Sequence, residues 1–140
     1  MILVTGSTGA IGSEVVRLLS RAGTPARALI RNPNQRKELP GITWVAGDLG
    51  KRETLTPALA GCTKLFLLSG NGENAGDLQH NALAAARQAG IAHVVKLSAF
   101  GASPRSNSLI GRIIIKSKKS WRNQEWRGRC SGRTISVRTS

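Results

Sequence analysis

Short, wholly apolar runs alternate along this chain with stretches whose apolar residues return every three or four positions. Ile2–Thr5, Ala26–Ile30, Ile42–Ala46, Lys64–Leu68 and Ala92–Leu97 are the apolar runs, and they predict strands. Between the first two, Ala10–Ala22 places Ile11, Val15, Leu18, Leu19 and Ala22 at helical spacing and stops at Gly23. Glu53–Ala60 predicts a short helix ending at Gly61, and Asp77–Ala89 an alanine-rich helix ending at Gly90. A polar turn through Asn32, Pro33 and Asn34 follows the second strand. Strands that are apolar throughout and separated by helices imply a parallel sheet covered on both faces. Five such units in order predict an α/β fold with an open, doubly wound parallel sheet of the Rossmann kind. The alternation lapses near residue 103, so the sheet is expected to be truncated after about the fifth strand.

The turn after the first strand reads Thr5-Gly6-Ser7-Thr8-Gly9-Ala10-Ile11-Gly12, a G-x-x-G-x-x-G spacing. Gly6 permits a tight turn out of the strand. Gly9 lets the backbone approach a pyrophosphate, and Gly12 lets the helix pack closely on the sheet. The helix then directs its free N–H groups and positive dipole end at the phosphates, and Ser7 and Thr8 can add hydroxyl hydrogen bonds. A glycine-rich turn with no ligand is the bland alternative, but the strand before it and the amphipathic helix after it favour a dinucleotide. The end of the second strand bears on which one. An NAD-binding domain usually carries an acid there for the ribose hydroxyls. This chain has Arg31 in Ala28-Leu29-Ile30-Arg31-Asn32-Pro33, with Arg36 and Lys37 close behind. A guanidinium suits a 2′-phosphate through paired, charge-assisted hydrogen bonds, so NADP(H) is expected, with NAD(H) the alternative if Arg31 is only a solvated loop cation.

The glycine motif resembles that of the atypical short-chain dehydrogenases, and the stretch to about residue 112 is similar to the NmrA-like family of NAD(P)-binding proteins. The supporting segments are Ala28-Leu29-Ile30-Arg31-Asn32-Pro33, Gly47-Asp48-Leu49, and Val94-Val95-Lys96-Leu97-Ser98-Ala99-Phe100-Gly101-Ala102. The resemblance implies that Asp48 and the Leu49 backbone border the adenine. It implies that Ser69 and Gly70 flank the adenosine ribose and pyrophosphate, and that Ser98 and Ala99 lie beside the nicotinamide ribose. These positions also suit an open α/β sheet, in which ligands sit at the carboxyl ends of the strands. Asp48 could equally be a loop or helix-capping acid.

Typical short-chain dehydrogenases use a Ser, a Tyr and a Lys as a proton relay. This chain has no tyrosine, so that relay is excluded within it, and the catalytic residues are unknown. NmrA-like proteins include quinone reductases and cofactor-sensing regulators, and a quinone can accept hydride with little acid help because the cofactor carries the chemistry. The resemblance thus implies an NADP(H)-dependent oxidoreductase for a quinone-like or carbonyl substrate, or else a non-catalytic NADP-sensing regulator. Lys96 is expected at the sheet's edge or under a helix end. His80 and His93 read as solvated or hydrogen-bonded structural residues, and Cys62 as a small buried one.

The chain has 140 residues, 40% of them hydrophobic, which suffices for the core of one domain. It begins directly on a strand without a basic leader, and no stretch approaches the ~20 apolar residues of a membrane helix, so no membrane partner and a cytoplasmic location are expected. Two cysteines, Cys62 and Cys130, suggest neither a disulfide framework nor a metal site. The net charge of +14 raises the question of nucleic acid, but its distribution is uneven. Residues 1–112 carry 13 Lys/Arg and 6 Asp/Glu, whereas residues 113–140 carry 8 Lys/Arg and one acid, Glu125.

Residues 1–112 therefore read as the cofactor domain, and residues 113–140 as a basic, irregular or disordered tail with no helical stripe or strand alternation. Three readings of the tail compete: a basic arm with aromatics for nucleic acid, a solvated tail, and translation out of frame. The last can be tested on paper. Permitted codons for residues 113–140, read one nucleotide out of register, turn Lys118-Lys119-Ser120 into glutamates. One choice yields an amphipathic acidic helix, a Ser-Gly turn and a strand ending in Leu-Arg-Pro, the elements that such a domain needs next. On that reading nucleic acid is not a partner.

Overall fold

The structure is a computed structural model, and it describes residues 1–70, 72–97, 126–131 and 134–139. The strands are β1 (Ile2–Val4), β2 (Ala26–Ile30), β3 (Ile42–Ala46), β4 (Lys64–Leu67) and β5 (His93–Leu97), followed by β6 (Trp126–Ser131) and β7 (Thr134–Thr139). The helices are α1 (Ala10–Arg21), α2 (Leu55–Leu59) and α3 (Ala75–Gln88), with single 3₁₀ turns at Pro33–Gln35 and Arg52–Thr54. One sheet runs in the order β3-β2-β1-β4-β5-β7-β6. Its first five strands are mutually parallel. The doubly wound parallel arrangement read from the sequence is therefore the fold.

The helices divide between the two faces. On one, Val16 of α1 packs on Val4 and Ala28, with Val15, Leu19, Trp44 and Phe66 around them. On the other, α2 and α3 set Leu55, Leu59, Leu83 and Ala86 against Leu3, Leu29, Leu65 and Val94. Alternate residues of β1 serve opposite faces: Leu3 belongs to one cluster and Val4 to the other. That division explains why the strands are apolar throughout.

The chain runs outward through β1, β2 and β3, then returns to place β4 on the other side of β1. Where the strand order reverses, the loops after β1 and β4 diverge and leave a crevice at the carboxyl ends of the strands. Three side-chain hydrogen bonds hold it in shape. The Thr5 hydroxyl donates to the Leu68 carbonyl (2.6 Å) and accepts from the Leu68 N–H (2.9 Å), clamping the end of β1 to the end of β4. On the far side, the Ser7 hydroxyl donates to the Leu29 carbonyl (2.6 Å).

One expectation is narrowed by the structure and another differs from it. Of the two places expected for Lys96, the edge is excluded and the helix-covered face is not: β5 lies between β4 and β7, and Lys96 is 1% exposed. Its strand position puts it on the face of Val94, toward the larger core. The expected irregular tail contains β6 and β7, an antiparallel pair in which β7 also lies antiparallel to β5, with Leu97 opposite Thr134. Such pairing satisfies backbone groups along the β5 edge and needs no apolar alternation, the signal whose absence argued for irregularity.

Candidate functional site

Gly6 leaves β1 with φ +61°, a left-handed conformation that side chains disfavour. The Gly9 N–H then donates back to the Gly6 carbonyl at 3.1 Å, closing the turn, and α1 begins at once. Gly9 is the N-cap, no side chain caps it, and the first turn holds no acid. The leading N–H groups of α1 are thus available to an anion, with the helix dipole adding positive potential. Gly12 permits the closest contact of the loop: a Cβ there would lie 2.0 Å from the Gly6 carbonyl oxygen.

Thr8 is exposed beside this turn, as are Gly9, Ala10 and Ile11. Ile11 is 52% exposed. Ser7 is 1% exposed and its hydroxyl proton goes to Leu29, so its side chain braces the loop.

A cleft of about 290 Å³ opens at the crevice. Four strand ends contribute to it: Gly6 and Thr8 after β1, Arg31 after β2, Asp48 and Leu49 after β3, Ser69 and Gly70 after β4. Seven of the residues singled out from sequence therefore meet in one cavity. Arg31 is exposed and has no hydrogen bond or ion pair among the described residues, so its guanidinium is available. Asp48 shapes its own turn, accepting the Gly50 N–H at Oδ1 (2.8 Å) while its backbone N–H donates to the Thr54 hydroxyl (2.9 Å). The loop-acid and cleft-lining readings of Asp48 hold together. Ser98 and Ala99 lie outside the described residues.

A second cleft, of about 420 Å³, meets the first at Thr8 and Gln35 and is bordered by Arg17, Lys37 and Trp44. Arg17 is already matched there: its Nε donates to Glu14 at 2.8 Å, and the guanidinium holds the Glu14 carboxyl below its ordinary value. Cys62 is buried as expected, and that burial pushes its thiol up. Among the described residues no group of His, Cys, Asp or Glu could hold a metal ion, and no helix is long and apolar enough to cross a membrane.

The sequence reading missed Gln35, Asn74 and Leu78, which also line the cleft, and Gln79 behind it. Gln79 carried a usable signal. It falls on the buried stripe of α3 with Ala75, Ala82, Leu83 and Ala86, the one polar residue there, and a buried amide calls for specific partners.

A family described as NAD(P)H-binding matches residues 6–125. The chain is 42% identical over 121 residues to an NAD(P)H azoreductase of Xenophilus azovorans, covering 85% of this chain and 42% of that protein. It is 35% identical over 103 residues to quinone oxidoreductase 2 of Escherichia coli, covering 70% of this chain and 36% of that one. Among solved structures, an NADPH-dependent quinone oxidoreductase of Escherichia coli complexed with NADPH superposes with a TM-score of 0.77 at 29% identity, over 88% of this chain and 45% of that one. A Citrobacter triphenylmethane reductase complexed with NADP(H) superposes with a TM-score of 0.76 at 27% identity, over 88% and 45%. The chain spans less than half the length of these relatives.

Proposed function

Because this chain belongs to the NAD(P)H-binding family, we propose that it supplies the cofactor-binding part of an NmrA-like, NADP(H)-dependent oxidoreductase that reduces a quinone-like or carbonyl substrate. The observation that carries this reading is the convergence of the phosphate loop, Arg31, Asp48, Leu49, Ser69 and Gly70 on one cleft at the point of strand-order reversal. The pyrophosphate lies over Gly9 and the first N–H groups of α1, where the backbone is bare and the dipole positive. The adenosine lies between Asp48–Leu49 and Ser69–Gly70, and Arg31 pairs with its 2′-phosphate. Ser98 and Ala99, which follow β5 in the chain, are the residues this reading assigns to the nicotinamide ribose.

When bound, the dinucleotide supplies hydride to the substrate. This chain's residues bind and orient it. An acceptor that takes up electrons readily, such as a quinone or the azo bond named for one relative, needs little acid catalysis from the protein. Titration with NADPH and NADH tests the binding reading: NADPH binding the tighter is expected, and equal or tighter NADH binding sinks the role given to Arg31. NADPH oxidation assayed over quinones, azo dyes and carbonyl compounds tests turnover. A second reading is a non-catalytic, NADP-sensing regulator, for which binding without turnover on any acceptor is the expected result.

The out-of-frame reading of residues 113–140 rests on the loss of helical and strand pattern after Arg112 and on the helix, turn and strand that permitted codons yield one nucleotide out of register. The family match entering that stretch as far as residue 125 argues against a change of frame at residue 113. Sequencing the locus around the codon for Arg112 decides it, because an intact frame with no missing base refutes the idea.

A further inference from the structure

Gln79 is 7% exposed, and its two amide atoms are treated unequally. Nε2 donates to the Ser69 hydroxyl oxygen at 2.8 Å. Oε1 is fully buried and has no hydrogen-bond partner among the described residues. An orphaned buried acceptor is destabilising, and a leucine or methionine of similar volume would remove that cost, so retaining glutamine here needs a reason outside folding. Ser69 supplies one. Its Oγ is occupied as an acceptor by Gln79 and has no other partner among the described residues, so its O–H proton is left to donate. Ser69 lines the cleft and Gln79 does not.

The geometry points to Gln79 as a cofactor-positioning residue: from behind the cleft wall it holds the Ser69 hydroxyl as a donor toward an oxygen of the bound dinucleotide's ribose or pyrophosphate. The inference rests on the cofactor reading above. Without Gln79 the Ser69 hydroxyl turns freely and can donate to a nearby carbonyl instead. With it, the donor direction is set before the ligand arrives, so less freedom is lost on binding. The neighbouring Asn81 does comparable work for the β3 loop, its Nδ2 donating to the Leu49 carbonyl at 2.9 Å. Helix α3 thereby fixes two of the four loops that surround the cleft.

The test is a double-mutant cycle on the full chain with Gln79→Met, Ser69→Ala and the pair, reading NADPH dissociation constants and the melting temperature of the ligand-free protein. Gln79→Met is expected to weaken NADPH binding by about three- to tenfold, the worth of one directed hydrogen bond, while leaving the ligand-free melting temperature unchanged or raised. In the Ser69→Ala background it is expected to have no further effect on binding. Equal losses with and without the Ser69 hydroxyl overturn the proposal, as does an unchanged dissociation constant in Gln79→Met. A loss of affinity that tracks a lowered melting temperature also overturns it, by making Gln79 merely structural. If Gln79→Met fails to fold, Gln79→Leu repeats the comparison. Failure of the unmutated chain to bind NADPH at all defeats the cofactor reading itself, an outcome distinct from the others.

Discussion

Gly12→Ala reverses the usual effect of replacing a glycine inside a helix. Gly12 lies in the first turn of α1, and helix propensity alone favours alanine by about 1 kcal/mol. The added methyl, however, would lie 2.0 Å from the Gly6 carbonyl oxygen, 2.6 Å from its carbon and 3.0 Å from the Ser7 Cα. The closest approach is roughly 1.5 Å short of van der Waals contact. Every one of those atoms is backbone, so no rotamer change relieves the clash. Either α1 slides away from the sheet or the Gly6 turn opens. Overpacking of this kind costs about 1–3 kcal/mol, and a backbone-on-backbone clash sits at the upper end, leaving a net loss of about 2 kcal/mol after the propensity gain. Melting of the ligand-free protein should fall by about 6 °C. NADPH affinity should fall by about tenfold or more, because the amides aimed at the pyrophosphate move with the loop. Gly9→Ala is the matched control. Gly9 is extended, at φ −78° and ψ 170°, and a methyl there meets only the Gly6 carbonyl oxygen at an ordinary 3.4 Å. It should melt like the unmutated chain yet bind NADPH poorly, since its methyl takes the space the pyrophosphate approaches. Gly12→Ala with unchanged melting and unchanged affinity would refute the close-packing account of this loop.

Arg31→Ala should weaken NADPH binding by about tenfold or more while leaving NADH binding within about twofold, as expected for loss of a charge-assisted pair with the 2′-phosphate; parallel losses for both cofactors would remove Arg31 from that role. Thr5→Val keeps the shape of a buried residue but deletes the clamp on Leu68, stranding a buried N–H and a carbonyl, so urea unfolding should show about 2 kcal/mol lost; a loss under about 0.5 kcal/mol would mean the strand ends hold without it. Burial raises the Cys62 thiol in the folded chain, so its contribution is fully present below the unfolded thiol value of about 8.5 and is lost as pH rises from there. Stability followed from neutral to alkaline pH should therefore decline more steeply for the unmutated chain than for Cys62→Val, and identical slopes would contradict the shift.

Most of the parallel sheet was legible because it is written in local pattern. Ala26–Ile30 and Ile42–Ala46 are strands at the expected bounds, and α1 differs from its expected span only at Ala22, which is its C-cap. The glycines were legible for a similar reason, since each answers a geometric demand made within a few residues of itself. What escaped was long-range polar pairing. Thr5 with Leu68 and Gln79 with Ser69 are partnerships fixed only once β1, β4 and α3 have packed. Ser7 shows the cost of this blindness: a serine in a phosphate loop suggests a ligand contact, yet the fold delivers the Leu29 carbonyl to its hydroxyl first. Lys96 shows another limit. Alternation gave its face but left open an edge or a place under a helix end, because pattern reports direction while burial depends on what else covers that face.

These hidden bonds have a consequence for how the site is held. Each loop around the cleft is anchored by a polar side chain whose outward neighbours are free for a ligand: Thr5 behind the β4 loop, Ser7 behind the end of β2, Asn81 behind the β3 loop and Gln79 behind Ser69. The cleft is thus a shell of exposed backbone and short side chains on a layer of buried hydrogen bonds. On the proposed reading, Gly6, Gly9 and Arg31 select the ligand and the layer beneath sets how precisely it is held. A substitution in the outer shell should change affinity with little change in melting, whereas one in the anchoring layer should move both. Gln79, whose Oε1 has no partner among the described residues, is the exception in that layer, expected to cost affinity while sparing stability. That separation makes it the position in the anchoring layer at which folding and binding can be told apart by a single substitution.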